Sequence, residues 1–520
     1  MIGSGWLFGA WKAARLAGPA AIFAWPIGAL AMLLLAFAYA ELGARYPAVG
    51  GMVRYTQLSH GSFAGFIAGW ANWIAIVSVI PIEAASSVQY MSSWSWDFTS
   101  QLYNPYLHQL TPYGLMLSGV FIVFYFLLNY WSVKLFLHSM MALTLFKILI
   151  PSLTCVALFV ASFHQGTFNL VHENFMPYGM SGVFTAVATA GIIFSFHGFQ
   201  SPINLSGEAI NPKRDVPLAI IISIGISFVL YLLLQIAFIG TVSPKDIAFG
   251  WHRLNFSSPF VHLALALNLN WLVILIYLDA FVSPSGTGIT YTATTSRMLY
   301  GLQSNGYMPE FIGRVHPLYH ISRPAMWINL IISFVFLYLF KGWSTLVAVI
   351  SVSSIISYVN GPVSAMTLRY RKHRQVSPVK IRGLRYIAPI AFIVISFVLY
   401  WARWPLTGKV ILIMLAGLPI YFYYQNKNGW KTFKEDWRPG IWLPCYLLTM
   451  ALISFLGSKA FGGWGKLNYA ESLIAVGVVA AIYYYWGLKS GRSRFINTKK
   501  PKLKSVKLPA KKEPPPRHLT

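Results

Sequence analysis

This sequence predicts an all-α integral membrane protein of about fourteen helical spans, on three observations. Only 10% of its 520 residues are charged and 56% are apolar, a balance that a water-soluble chain of this length does not keep. Runs of about 18 to 25 apolar residues recur from end to end, each long enough to cross a hydrocarbon core. The runs lack the period-two alternation of a barrel, so backbone groups that lipid cannot satisfy must be satisfied inside helices.

In chain order the spans are expected at 1–17, which is incomplete, then 20–39, 63–90, 113–130, 137–163, 183–199, 216–242 and 271–299. Six more follow at 325–340, 345–367, 387–400, 410–424, 441–456 and 472–488. The formal charge of +27 does not point to nucleic acid, because the basic residues sit between spans. Placing the turn after the second span in the cytoplasm puts most Lys and Arg on that side, which fixes the orientation by the positive-inside rule. Both termini are then cytoplasmic, in a cytoplasmic (inner or plasma) membrane. The largest cluster is Arg369, Arg371, Lys372, Arg374, Lys380, Arg382 and Arg385, followed by a Lys- and Pro-rich tail over 489–520. That tail reads as disordered, a topological determinant able to touch anionic lipid or an arm for a partner. Cys155 and Cys445 lie in separate apolar spans and imply neither a disulfide framework nor a metal site; no cofactor is expected.

The first span begins abruptly. Met1 is followed by Ile2, Gly3, Ser4 and Gly5, and Trp6 to Ala17 makes roughly 18 Å of helix, about half a bilayer core. The glycine cluster therefore falls near the midplane with no half-helix before it, and a start assigned too far downstream is the expectation. Gly-Ser-Gly is a poor helix interior. In the sixth span, Phe194, Ser195, Phe196, His197 and Gly198 precede Ser201 and Pro202, so a second interruption is expected at depth. Non-helical backbone within a membrane is tolerated where it lines a cavity or is buried in protein. Breaks in spans one and six suit two inverted repeats of five helices. Free amides at the half-helix ends suit a carboxylate and free carbonyls an ammonium. The bland alternative is that the glycines only let helices pack closely.

At these residues the sequence resembles the amino acid-polyamine-organocation superfamily of permeases. Ile2 to Gly5 look like its first-helix carboxylate motif, and Phe194 to Gly198 like its sixth-helix amino-group motif. The run Gly207-Glu208-Ala209-Ile210-Asn211-Pro212-Lys213-Arg214-Asp215-Val216-Pro217 resembles the loop that follows, and Glu41 to Tyr55 resembles the loop after helix two. Gly3 to Phe8 and Ser283-Pro284-Ser285-Gly286 look most like the aspartate/glutamate-proton symporter branch. The resemblance covers nearly all of the chain up to about Trp486. It implies a leucine-transporter-type fold with discontinuous helices one and six, and an amino acid as substrate, an acidic one favoured. It further implies alternating access with proton symport; exchange of one amino acid for another, or a non-transporting sensor on the same fold, stay open. The departures are the missing half-helix and His197, at a position more often apolar.

A charge at the bilayer centre costs about 2.5 to 3.5 kcal/mol and needs a partner or a water path, and three such charges stand out. Lys147 lies near the midplane of span five. The resemblance implies the helix-five lysine of proton-coupled members, with partners among the carbonyls around Gly3 and the helix-eight residues Ser283 and Ser285. Glu83 and Asp279 are candidate proton carriers or simple partners of Lys147, with Glu83 expected near the outer end of its span. His197 changes charge near neutrality and is either a sensor in the site or a packing residue. Phe194 and Phe196 are candidate gating rings, against plain packing; most other aromatics are expected in interface belts.

No converging acid-base or metal constellation supports an enzyme, and a channel would need a continuous polar pore. The expected organisation is a first repeat over 1–163, a second over 183–367, four further helices over 387–488 and the tail. The partners are a small amino acid, protons and lipid, with a homo-oligomer open; the last four helices carry no mechanism beyond packing or assembly.

Overall fold

The computed structural model describes residues 1–47, 51–131, 133–164, 175–207, 209–317, 321–370, 380–427 and 429–497. Arg371, Lys372, Arg374, Glu208 and the basic tail beyond 497 lie outside the described residues. Twelve helical stretches there are long and apolar enough to cross a membrane, and thirteen when one bent pair counts as a single span.

The first stretch, Ser4–Arg45, runs for 42 residues, about 63 Å as one rod and twice a hydrocarbon core. It is two helices, α1 (Ser4–Ala17) and α2 (Ala21–Arg45), parted by the turn Gly18–Ala20. A β-carbon on Gly9 of α1 would stand 3.2 Å from the indole of Trp25 on α2; on a straight helix these residues would be about 24 Å apart. The chain therefore folds back at Gly18, whose φ of +63° suits glycine. With α1 and α2 counted apart and the bent pair as one, the described residues hold fourteen apolar helical segments, of which α1, with 14 residues, is too short to cross a hydrocarbon core alone.

The other helices follow in order: α3 (Gly51–His60), α4 (Ser62–Val77), α5 (Val79–Met91), α6 (Pro112–Trp131), α7 (Val133–Ala161), α8 (Gly179–Thr189), α9 (Ile192–Ser195), α10 (Gln200–Asn204) and α11 (Pro212–Thr241). Then come α12 (Pro259–Ala266), α13 (Asn270–Ser304), α14 (Arg323–Phe340), α15 (Trp343–Tyr358), α16 (Asn360–Arg369) and α17 (Leu384–Trp401). The last are α18 (Leu406–Leu415), α19 (Leu418–Lys427), α20 (Lys431–Gly440), α21 (Trp442–Leu456) and α22 (Tyr469–Asn497). A short hairpin pairs Tyr103–Asn104 with Gln109–Leu110.

Two stretches, Ser62–Met91 and Trp343–Arg369, are 94% buried over their most apolar windows, against 33% for Leu143–Ala161 and Pro212–Thr241. The former are central and the latter present a broad face to lipid.

Prolines remove backbone donors from the inner helices, and other side chains satisfy the carbonyls left open. Pro284 cannot donate to the carbonyl of Ala280 in α13, and Ser87 Oγ of α5 donates to it at 2.9 Å. Pro362 leaves the carbonyl of Tyr358 without its helical donor, and the Tyr39 hydroxyl reaches both Tyr358 O and Ser357 O at 3.3 Å. Such repairs are what buried non-helical backbone requires.

At the end that carries the basic loops, Glu41 is 1% exposed and accepts both from the Arg369 guanidinium and from the Ile381 amide. Asp436 of α20 pairs with Arg494 at 3.0 Å and accepts from the Ser62 amide at 2.7 Å, so the last helices are latched onto the first ones there.

Candidate functional site

Helix α1 begins at Ser4, after Gly3 in a non-helical conformation, so the break expected at Gly-Ser-Gly is where regular structure starts. The Ser4 amide has no helical acceptor and donates instead to Glu83 Oε2 of α5 at 2.9 Å. A β-carbon on Gly3 would lie 2.8 Å from Glu83 Oε1 and 2.8 Å from Thr287 Oγ1. Only glycine lets the chain pass between α5 and α13 at that point.

The sixth span is interrupted over a longer stretch than expected. Gly191, with φ of +94°, ends α8 in a left-handed conformation. The single turn α9 follows, then a 3-10 turn at His197–Phe199 and α10. The two parts, Gly179–Ser195 and His197–Asn204, are bent by 43°. This break meets the first one directly. A β-carbon on Gly5 would overlap Ser195 Oγ, and one on Gly198 would stand 2.7 Å from the nitrogen of Met1.

Around this junction the three intramembrane charges separate into two settings. Asp279 of α13 is fully held: Ser283 donates to Oδ1 at 2.7 Å and the indole of Trp6 to Oδ2 at 2.8 Å. Glu83 is held on one side only; its Oε1 is buried with no hydrogen-bond partner. Lys147 of α7 donates to Thr287 Oγ1 at 3.0 Å, and that hydroxyl lies 3.3 Å from Ile2 O and 3.1 Å from Ser283 O. The ion pairs among the described residues involve other groups, so neither carboxylate pairs directly with Lys147. Glu83, wherever it lies along its span, is held inside the protein at the entry to α1. The first amide of α1 reaches Glu83, which is 0% exposed.

The expected partners of Lys147 are approached through one residue that the sequence did not single out. Thr287 stands one turn after Ser283 and links the lysine to the Ile2 carbonyl. Its signal was available, as a hydroxyl four residues beyond Ser283 on the same helical face. Ser285 bonds instead to the Tyr125 hydroxyl at 3.1 Å. Three other groups went unnoticed. Trp343 donates to Ser4 Oγ at 3.0 Å, Tyr231 to Met1 O at 2.8 Å, and Trp6 holds Asp279. Indoles and phenols in apolar runs look like packing or interface residues until a buried polar atom is found beside them.

His197 is 1% exposed. Its ring lies nearly parallel to Tyr291, 5.9 Å between centroids, with Nδ1 3.2 Å from both the Tyr291 hydroxyl and Gln200 Nε2. Phe196 sits edge-on to Trp25 and Tyr231 at 6.2 and 6.1 Å. Phe194 is 7% exposed on the adjoining turn. Among the described residues no cluster of His, Cys, Asp or Glu could hold a metal ion.

The profile of the amino acid permease family matches residues 1–411. The chain is 56% identical over 494 residues to the glutamate/serine transporter AimA of Bacillus subtilis, spanning 94% of this chain and 91% of that protein. It is 33% identical over 496 residues to the aspartate-proton symporter of the same bacterium, spanning 94% of each. It is also 24% identical over 442 residues to that organism's branched-chain amino acid permease BcaP, spanning 82% and 90%.

Proposed function

The chain belongs to the amino acid permease family, and from that premise we propose that it carries an acidic amino acid across the cytoplasmic membrane together with a proton. It is a multi-pass amino acid transporter of the amino acid-polyamine-organocation type and not an enzyme. Its proposed organisation is two inverted repeats, 1–163 and 183–367. Helices over 387–488 brace them, and both termini are cytoplasmic, with the clustered Arg369, Lys380, Arg382 and Arg385 in support.

The observation that carries the reading is that two titratable groups from different helices hold the same short piece of backbone. Glu83 takes the Ser4 amide, and Lys147 reaches the Ile2 carbonyl through Thr287. A substrate carboxylate placed at the start of α1 competes with Glu83 for that amide. Protonating Glu83 weakens its grip and frees the amide, so proton and substrate bind together and leave together. A charged Lys147 donates to Thr287 Oγ1 and leaves the Thr287 proton for Ile2 O or Ser283 O, whereas a neutral amine can accept that proton and release the Ile2 carbonyl. Asp279, held at both oxygens, fixes Trp6 and α13 as a frame. Ser195 to Gly198 supply the face opposite Gly3 to Gly5 for the substrate's ammonium, with Phe194 and Phe196 beside it as gating rings. The acidic preference rests on the relatives named for glutamate and aspartate.

The test is uptake of a radiolabelled amino acid panel by proteoliposomes, with and without an inward proton gradient. Gradient-driven accumulation of glutamate or aspartate supports the proposal. Label entering only vesicles preloaded with another amino acid replaces symport by exchange, and binding without flux replaces transport by sensing.

A further inference from the structure

At the end of the molecule opposite Glu41 and Arg369, a cavity of about 250 Å³ opens between the end of α1, the start of α8 and the loops before α12, α18 and α22. Its polar lining is Arg15, Tyr178, Ser181, Thr185, His252 and Arg403. No carboxylate lines it, and among the described residues none pairs with Arg15 or Arg403.

The lining is built rather than incidental. Arg15 lies over the Trp11 ring at 5.2 Å and donates through Nε and a terminal nitrogen to the carbonyl of His252 at 3.3 and 3.2 Å. Tyr178 accepts from the His252 amide at 2.9 Å, and its hydroxyl lies 3.0 Å from Nδ1 of the same residue. The phenol then donates to Nδ1, which leaves Nε2 to carry the ring proton as a free donor. Arg403 is exposed, in a left-handed backbone conformation with φ of +72°, and its guanidinium has no partner. The local field is positive beyond the cavity too: burial, then Arg15 and Lys12, push the nearby His108 below its usual value.

We propose that this cavity is an outer subsite that takes the side-chain carboxylate of a dicarboxylic amino acid before the substrate reaches the junction of α1 and α9. A planar guanidinium with free donors matches a carboxylate bidentately. A cluster of cations without counter-charges raises the local concentration of a net anion and has little hold on a zwitterion of zero net charge. The position suits a relay, since Arg15 stands roughly 15 Å along α1 from Gly5. The inference takes its ligand from the acidic-substrate reading.

The test compares the full-length protein with Arg403→Gln and Arg403→Lys. Glutamate is titrated calorimetrically into detergent-solubilised protein, and glutamate and serine uptake are measured in vesicles of zwitterionic lipid, so that no anionic headgroup competes. The expected result is a half-saturation for glutamate raised about three- to tenfold in Arg403→Gln, with a flatter dependence on ionic strength. Arg403→Lys restores the dependence on ionic strength but only part of the affinity, since an ammonium lacks the planar fork, and the glutamate-to-serine preference falls in Arg403→Gln. Identical glutamate titrations and preference in wild type and Arg403→Gln overturn the subsite even if glutamate is transported, leaving the acidic-substrate reading intact. Arg403-dependent glutamate binding without glutamate uptake keeps the subsite and overturns that reading; no glutamate binding at all overturns both.

Discussion

At the end with the basic loops, buried acids close into ion pairs: Glu41 with Arg369 and Asp436 with Arg494. At the centre, Glu83, Asp279 and Lys147 are equally buried, yet each meets only neutral groups. A closed pair is a fastener, since removing one partner strands the other. A charge held only by an amide, an indole or a hydroxyl can change its protonation with a small rearrangement of neighbours. Stability is thus invested at the end and changeability at the centre.

Breaking a fastener has the largest expected effect. Arg369→Ala leaves Glu41 buried and uncompensated and is expected to cost about 3 to 5 kcal/mol, read as a fall in the thermal unfolding midpoint in detergent. An unchanged midpoint would erase the distinction between the two regions. Lys147→Ala comes next: uptake loses its response to a pH gradient while the midpoint stays within the range of ordinary surface variants. Glu83→Gln keeps an acceptor for the Ser4 amide and removes the charge, so gradient-driven accumulation is expected to vanish and downhill exchange to persist. Asp279→Asn sharpens the contrast between the carboxylates. With both oxygens already held, it is expected to lower stability by about 1 to 3 kcal/mol and to retain gradient response; loss of coupling there would transfer the carrier role from Glu83 to Asp279. The smallest effect is expected for Ser285→Ala, which removes the bond to Tyr125 at a cost of about 1 kcal/mol and leaves uptake intact.

The spans were legible because a hydrocarbon core imposes length and apolarity on each one. Their ends moved by a few residues where polar groups continue a helix past the membrane: α22 runs to Asn497, whereas the apolar run stops near 488. The breaks were legible from Gly3 to Gly5 and from Phe194 to Gly198, since glycine marks close approach. The left-handed turn at Gly191, which extends the interruption ahead of the 43° bend at Phe196, was not, because a single glycine in an apolar run looks the same whether its φ is negative or positive. Lys147, Glu83 and Asp279 stood out as ionisable groups in apolar surroundings. What connects them did not: Thr287, Trp6 and Trp343 become polar partners only when helices distant in sequence are brought together. The cavity at Arg15 and Arg403 was hidden for the same reason, its two arginines belonging to opposite halves of the chain.

The account depends most on the proton. Purified protein in sealed proteoliposomes, given radiolabelled glutamate or aspartate and an imposed inward proton gradient, should accumulate the label above its external concentration and lose it when a protonophore collapses the gradient. Uptake that merely equilibrates, with or without the gradient, would contradict the account.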